Sequence, residues 1–308
     1  MGQNYTFIFV CIFFNNILKY VVVCVLINEL QGFLHFALSD NHWMECEYMQ
    51  RDTKIIAVSG KGGVGKTTLS AAVVRTLTEC YPEARILAID ADPAIGLSTA
   101  LGVEVRRTLD DIRKSIVNKT EAGETKQAIE LLNEARFRIF DTMVENQSFA
   151  FIAIGRPETA GCYCAINTYL KEVISMLAGD FDYVVIDGEA GIEQINRRVM
   201  EKVTHLLLIS DQSRKGIQVV KTVKQVSDEL VMADRVGLII NRVTNPELCG
   251  SIAVDGVEDV TFIASDPEQA ENDILGKSVF ELAEDSAVLK GIRLALEKME
   301  IIQCDCET

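Results

Sequence analysis

Residues 60–68, Gly-Lys-Gly-Gly-Val-Gly-Lys-Thr-Thr, decide the fold of this chain. They fit the pattern G-x-x-x-x-G-K-[ST], with an apolar run before them and an amphipathic segment after them. Such a loop wraps backbone N–H groups around nucleotide phosphates, and the following helix N-terminus adds partial positive charge. The pattern assigns Lys66 to the β and γ phosphate oxygens and Thr67 to Mg²⁺. The predicted nucleotide-binding residues of the loop are Gly60, Lys61, Gly62, Gly63, Val64, Gly65, Lys66, Thr67 and Thr68.

After residue 51, short apolar runs alternate with longer amphipathic ones, which is typical of a parallel sheet covered by helices. The predicted strands are Lys54–Ser59, Arg85–Asp90, Phe149–Ile154, Tyr183–Asp187, His205–Ser210, Arg235–Asn241 and Val260–Ala264. The predicted helices are Thr67–Glu79, Thr125–Asn146, Ala165–Ala178, Ile192–Lys202, Lys215–Met232 and Val279–Lys298. The stretch 106–146 has no strand signal and is expected to be a helical insertion. The sequence therefore predicts one α/β domain over 51–300, with a mostly parallel, twisted sheet and helices on both faces.

The composition limits the partners and the compartment. With 308 residues, 48% of them hydrophobic, the chain can bury a sizeable core without disulfides. A net charge of −15 argues against nucleic acid as a partner, because neutralising phosphates needs a surplus of Lys and Arg. The nine cysteines are unevenly spaced, which favours cytosolic thiols over a disulfide framework. We therefore expect a cytoplasmic protein.

The two ends of the chain, residues 1–50 and 301–308, are predicted to lie outside the α/β domain. Residues 1–50 hold an apolar run from Tyr5 to Leu38, interrupted by polar residues. This leader is a translated non-coding stretch before a start at Met44 or Met49, a membrane anchor, or a packed helix, and a membrane enters as a partner only in the second case. Residues 301–308 are expected to be a flexible tail, whose Cys304 and Cys306 either deliver a metal ion or are incidental.

The second loop lysine, Lys61, gives the form KGGxGK[ST], which resembles the deviant-Walker P-loop ATPases, a class that includes MinD, ParA and the nitrogenase iron protein. The resemblance implies an α/β P-loop NTPase that closes as a homodimer around ATP. It also implies that Lys61 reaches the partner's phosphates, and that Lys61 and Lys66 stabilise transferred charge. Asp92, in the turn after Ile-Leu-Ala-Ile-Asp90-Ala, would orient the attacking water, while Asp90 caps that turn or holds a magnesium-bound water.

Two further segments complete the predicted nucleotide site. The apolar strand 183–187 ends in Asp187, which suits Mg²⁺ binding through water, and Gly191 in the following Gly-Glu-Ala-Gly resembles a sensor of the γ-phosphate. Leu-Ile-Ile-Asn241-Arg242 ends another strand, and the resemblance places Asn241 on adenine, with Arg242 beside it. Residues 262–267 match a loop that closes over the base. The chain lacks N-K-x-D, so ATP is favoured over GTP.

A Cys-x-Cys pair follows the strand 149–154, in Gly155-Arg-Pro-Glu-Thr-Ala-Gly-Cys-Tyr-Cys164. Cys162 and Cys164 supply only half of a tetrahedral site, so two copies of the chain would hold one Ni²⁺ or Zn²⁺. Over residues 54–298 the motifs resemble the nickel-inserting maturation ATPases of carbon monoxide dehydrogenase, the CooC type. Two positions depart from that pattern: Gly188 stands where Thr or Asn is familiar, and Gln194 stands in place of His.

These observations predict an ATPase that holds nickel at a dimer interface and inserts it into apo carbon monoxide dehydrogenase or acetyl-CoA synthase. The cofactors are ATP and Mg²⁺, with Ni²⁺, or Zn²⁺ at the same site. A spatial-organisation ATPase of the MinD or ParA kind is the main alternative, although the chain ends in acidic residues rather than a basic amphipathic helix. A maturation factor for another metalloenzyme or for iron–sulfur clusters is the third.

Overall fold

The computed structural model describes residues 53–122, 134, 137–155, 171–172, 174–188, 202–230 and 232–303. All of them belong to the unit Gln50–Thr308, into which the chain divides after residue 49. Several predictions lie outside the described residues and stay predictions: those on the leader 1–50, Cys162, Cys164, Gly191, Gln194, Cys304 and Cys306.

The described strands form one eight-stranded sheet in the order β3-β4-β2-β5-β1-β6-β7-β8. Neighbouring strands are parallel except β3, which pairs antiparallel with β4 at the edge. The predicted α/β class with a mostly parallel sheet is therefore confirmed. The strands are β1 Lys54–Gly60, β2 Ile86–Asp90, β3 Val144–Glu145, β4 Ala150–Ala153, β5 Tyr183–Asp187, β6 Lys202–Ser210, β7 Met232–Val243 and β8 Asp259–Ala264.

Helices cover both faces of the sheet. Alternate strand residues belong to two separate apolar clusters, as Ala57 and Val58 of β1 do. One cluster includes the α4 residues Val220 and Val223, and the other includes the inner faces of α1 and α6. No helix in the described part of the chain is long and apolar enough to cross a membrane. The helices are α1 Lys66–Cys80, α2 Gly96–Leu101, α3 Leu109–Glu121, α4 Arg214–Leu230, α5 Pro267–Leu275 and α6 Ala287–Lys298, with 3₁₀ turns at Pro246–Ser251 and Val279–Glu281.

Two predicted helices end earlier in the structure than the sequence predicts. The helix predicted over 125–146 is helical at residues 137–140 but then turns, and Val144–Glu145 pairs with β4. The turn is held by Thr142, whose N–H and hydroxyl both donate to the Ile139 carbonyl oxygen, at 3.0 and 2.7 Å. The expectation of a purely helical insertion at 106–146 was therefore wrong at its end. The helix predicted over 192–202 was also wrong at its end, because Lys202 opens β6.

The C-terminal part of the fold also corrects the sequence prediction. The single helix predicted over 279–298 is a 3₁₀ turn followed by α6, which begins where the Ser286 hydroxyl accepts the Leu289 N–H at 3.1 Å. Met232, predicted as the end of a helix, opens β7. The tail was predicted to be flexible from residue 301, but Ile301 and Ile302 are buried in the core. The fold thus continues past residue 300.

The sheet brings the predicted site residues to one edge. β1 lies between β5 and β6, so the loops after these strands leave from neighbouring positions. Asp90 pairs in register with Asp187, and Gly60 pairs with Ile209 of β6. Since ligands of open parallel sheets bind at the carboxyl ends of the strands, this edge is where a nucleotide is expected.

We predict that Arg75→Met destabilises the fold by about 2–4 kcal/mol in urea unfolding, because two carbonyls inside the core lose their donor. The buried Arg75 guanidinium donates at 2.8 Å to the carbonyl oxygens of Val279 and Leu282, and pairs with Glu79 at 2.6 Å. The matched control is Arg138→Met, which removes an exposed pair with Glu134 and should cost less than about 0.5 kcal/mol. Equal losses in the two variants would contradict this role of Arg75.

Candidate functional site

Three glycines shape the loop after β1. Gly60, at φ 141°, passes so close to β6 that a Cβ there would overlap the Ile209 carbonyl oxygen. Gly65, at φ 91° and ψ 29°, is the N-cap of α1, and its carbonyl accepts the Leu69 N–H at 3.0 Å. Gly63 is also left-handed, at φ 77°. Because L side chains rarely adopt these angles, glycine is needed for the loop to curl over the helix N-terminus.

The end of β7 holds the outer side of this loop. The Asn241 amide donates to the Val64 carbonyl oxygen at 2.8 Å, and the Arg242 guanidinium donates to the Gly63 carbonyl oxygen at 3.2 Å. The Asn241 side-chain oxygen also accepts the Arg242 N–H at 2.9 Å, which fixes Arg242 at a left-handed φ of 56°. Asn241 is 5% exposed. Both predicted base-side residues thus brace the phosphate loop.

The two loop lysines have different partners. The Lys66 ammonium donates to the Lys61 carbonyl oxygen at 3.3 Å, so it lies across the loop. The Lys61 ammonium instead pairs with Asp211 at 2.5 Å, and lies 3.5 Å from the Ser213 hydroxyl. Asp211 directly follows β6. Lys61, which the sequence predicts to reach a second subunit, is held here within its own chain.

Asp187 forms the inner wall of the site. It is 1% exposed, and the Ser70 hydroxyl donates to its Oδ1 at 2.9 Å. Burial raises the pKa of Asp187 to about 6, and the neighbouring Thr67 and Ser70 hydroxyls and the Lys66 ammonium oppose the rise. Its Oδ2 is buried and accepts no hydrogen bond in the structure. A buried carboxylate oxygen left without a donor, beside the Thr67 hydroxyl, fits Mg²⁺, which prefers such oxygen ligands.

Asp90 organises the loop that carries Asp92. Its two oxygens accept the N–H groups of Asp92 and Leu97, at 3.0 and 2.9 Å. Asp92 in turn accepts the Ala94 N–H at 2.8 Å. Burial, with the nearby Asp187 charge, raises the pKa of Asp90 to about 7. Asp90 therefore caps the turn, which was one of its two predicted roles, and Asp92 lies close enough to Asp187 for its charge to raise the pKa of that carboxyl.

The loop 211–213 also belongs to the site, although the motifs in the sequence did not predict it. Although partial burial pushes the other way, hydrogen bonds from Lys61 and Ser213 hold the pKa of Asp211 below its ordinary value. The Ser213 hydroxyl also accepts the Gly216 N–H at 3.0 Å at the start of α4. The signal was present: Asp-Gln-Ser directly follows the predicted strand 205–210, at the carboxyl edge where ligands bind.

The structure thus brings most predicted nucleotide residues together. The loop 60–68, Asp92, Asp187, Asn241 and Arg242 all lie at the carboxyl edge of the sheet. Gly188 is buried beside β1, where its N–H donates to the Val58 carbonyl oxygen at 3.0 Å. Cys80 and Cys249 form no disulfide. Within the described ranges, no cluster of three or more His, Cys, Asp or Glu side chains forms a metal site.

Comparisons with known proteins agree with this geometry. A family model described as an AAA domain matches residues 53–234. An uncharacterized ATP-binding protein of Methanocaldococcus jannaschii is 35% identical over 249 residues, covering 80% of this chain and 98% of that protein. The carbon monoxide dehydrogenase accessory protein CooC of Rhodospirillum rubrum is 29% identical, over 65% of this chain and 83% of its own length. The septum site-determining protein MinD of Pyrococcus horikoshii, complexed with Mg-ADP, has a TM-score of 0.57 and 25% identity, covering 81% of this chain and 97% of that one.

We predict a pH dependence from Asp90 in the nucleotide-free protein. The pKa of this carboxyl is about 7 in the folded protein, against an ordinary value of 3.8. Between these two pH values, the folded state therefore holds a proton that the unfolded state has lost. The free energy of unfolding from this group therefore falls as pH rises from about 4 to 7. Asp90→Asn should reduce that fall in urea unfolding series without Mg²⁺ and leave the smaller part that Asp187, with its pKa of about 6, contributes between about pH 4 and 6. The exposed control Asp255→Asn should leave the slope unchanged; a wild-type slope in Asp90→Asn would contradict the assignment.

Proposed function

We propose that this chain, which belongs to the AAA domain family, is an ATP-dependent metallochaperone that carries nickel between two subunits and delivers it to carbon monoxide dehydrogenase or acetyl-CoA synthase. The observation that carries the proposal is the presence of a second loop lysine, Lys61, in the same chain as the Cys162-x-Cys164 pair. The similarity to the accessory protein CooC supports the choice of client.

The nucleotide part of the proposal rests on the described loop. Backbone N–H groups of 62–67 and the α1 N-terminus receive the phosphates, and Lys66 exchanges the Lys61 carbonyl for a phosphate oxygen. Thr67 and Asp187 would hold Mg²⁺, which shields phosphate charge. Asp92 orients the attacking water, and the Asp90 carboxylate keeps the Asp92 turn in place. Asn241 and Arg242 set the loop and lie on the side where the base is expected.

The proposed dimer can close only after Lys61 leaves its partner in the same chain. The Lys61 ammonium is paired with Asp211 in the same chain, so it must leave this carboxylate before it can reach a partner's phosphates. The pair is partly exposed, at 25% for the lysine side chain and 33% for the aspartate, so the exchange costs little. A triphosphate offers more negative charge than one carboxylate. ATP in the partner subunit can therefore draw Lys61 across the interface.

The metal part of the proposal rests on the sequence. Cys162 and Cys164 of one subunit supply two thiolates, and a second copy supplies two more, which completes a tetrahedral site for Ni²⁺ as cargo. Hydrolysis then opens the dimer and halves the ligand set, so the ion is released. Zn²⁺ would bind the same four thiolates.

The direct test is nickel titration of the Cys162→Ser/Cys164→Ser double variant in the presence of ATP. We expect one ion per wild-type dimer and none per variant dimer, while ATP hydrolysis persists in the variant. The control is Cys80→Ser, which removes a thiol at the C-terminal end of α1 and should keep the wild-type stoichiometry. Unchanged nickel binding in the first variant would end the metal hypothesis and leave the ATPase.

A second prediction concerns Asp211. In Asp211→Asn, Lys61 loses its charged partner, so half-maximal dimerisation should need roughly fivefold less ATP, the equivalent of an ion pair worth about 1 kcal/mol. Sedimentation velocity across an ATP series measures this. Asp228→Asn removes the 2.6 Å pair with Lys224 on α4 and should leave the midpoint unchanged. A midpoint that rises in Asp211→Asn would show that Asp211 serves the closed dimer instead.

A spatial-organisation ATPase remains the second candidate function, because the fold matches that of the septum site-determining protein MinD of Pyrococcus horikoshii, with 25% sequence identity over the aligned residues. Vesicle flotation with ATP separates the two functions. Binding of the full chain to anionic vesicles, together with no nickel uptake, would favour the second.

A further inference from the structure

The Gln212 side chain ties two loops of the nucleotide site together. Its Oε1 accepts the N–H groups of Thr244 and Asn245, at 2.9 and 3.1 Å. Its Nε2 donates to the Asn245 carbonyl oxygen at 2.6 Å, and lies 3.5 Å from the Cys249 sulfur. One carboxamide thus makes three bonds to the backbone of two adjacent residues, 32 and 33 positions away in sequence.

Both tied loops also contact the phosphate loop. On one side, Asp211, next to Gln212, holds Lys61. On the other side, Asn241 and Arg242, just before Thr244, hold the carbonyls of Val64 and Gly63. The contacts therefore form a closed ring, from the phosphate loop through Asp211 and Gln212 to the segment 241–245 and back.

We expect the base of a bound nucleotide on the 241–245 side of this ring. Asp92, just after β2, and Asp187, the last residue of β5, are the residues predicted to serve the Mg²⁺ and γ-phosphate end, and they lie on one side of β1, whereas β6, β7 and β8 lie on the other. The Ser265 N–H donates to the Val243 carbonyl oxygen at 3.2 Å, so the segment after β8 borders the end of β7. A nucleotide extended across the sheet edge would place its base against these two segments.

We propose that Gln212 is a positioning residue that transmits occupancy of the base side to the Asp211–Lys61 pair. When a base displaces the segment 241–245, the three carboxamide bonds move the loop 211–213 with it, and Asp211 loosens its hold on Lys61. Phosphates alone bind the loop 60–68 and have no base to place against this segment, so we expect them to free Lys61 less than a nucleotide does. The chain thereby distinguishes a nucleotide from other polyphosphates before Lys61 is freed. This inference rests on the ATP-binding part of the proposed function and is independent of nickel.

The test measures the reactivity of the Lys61 amine by trace acetylation and mass spectrometry with saturating Mg-ATP or Mg-triphosphate. The protein is diluted to a concentration at which sedimentation velocity detects only the monomer with either ligand. Both ligands carry the same phosphates, so their difference isolates the base. In the wild type we expect Lys61 to react about fivefold faster with ATP than with inorganic triphosphate, the lower end of usual coupling energies. The exposed Lys221 on α4 is the internal reference.

Gln212→Met keeps the side-chain length and removes all its hydrogen bonds, so the ratio of the two Lys61 rates should fall to near one. Gln212→Glu keeps the acceptor oxygen for two N–H groups and should recover part of the difference. The control Gln218→Met makes the same change at an exposed position of α4 and should retain the wild-type ratio.

A wild-type ratio near one, or an unchanged ratio in Gln212→Met, would overturn the proposal. A merely structural role predicts equal changes with both ligands and a lower melting temperature. The outcome is separate from that of the proposed function, because the acetylation is read in monomers. Absence of dimers or nickel binding would end the metallochaperone hypothesis without changing the Lys61 ratio.

Discussion

The structure depends on how the phosphate loop satisfies its own carbonyl groups. A loop that turns its N–H groups toward an anion must direct its carbonyls outward, and buried carbonyls need donors. Here the Val64 and Gly63 carbonyls are met by Asn241 and Arg242, and the Lys61 N–H bonds to Ile209. The loop is therefore fixed by β6 and β7, which lie on one side of it. Its shape follows from strand order as much as from its glycines.

The two sides of β1 carry different charges at the site. Asp90, Asp92 and Asp187 lie toward β2 and β5, and the raised pKa values of Asp90 and Asp187 show that this side holds more negative charge than burial favours. A divalent cation relieves that excess. On the β6 side, Asp211 neutralises Lys61. A magnesium-bound triphosphate suits both sides, because it would bring a cation to the carboxylates and phosphate oxygens to Lys66.

The fold and the phosphate loop could be predicted from sequence because their signals are local. Seven predicted strands match described strands, since continuous Ile and Val runs mark buried parallel strands. The helix ends were predicted poorly at residues 146, 202 and 279, where a turn hydrogen bond or a cap decides the boundary. Pairings between distant loops could not be predicted at all. Nothing near Lys61 in sequence indicates Asp211, and nothing near Gln212 indicates Thr244, because the order of strands brings them together.

Because of the same strand order, the nucleotide site lies next to the strand that precedes the cysteine segment. β4, which precedes that segment, pairs with β2 so that Ala153 lies opposite Asp90. The next N–H, that of Ile154, donates to the Asp90 carbonyl oxygen at 2.8 Å, and Gly155 follows at φ 84° against Thr108. A change in the turn that Asp90 caps therefore acts on the backbone from which residues 156–164 depart. The proposed coupling between ATP and the Cys162–Cys164 pair has a short path along the backbone, since Asp90 and Ala153, which precedes the cysteine segment, lie on adjacent strand ends.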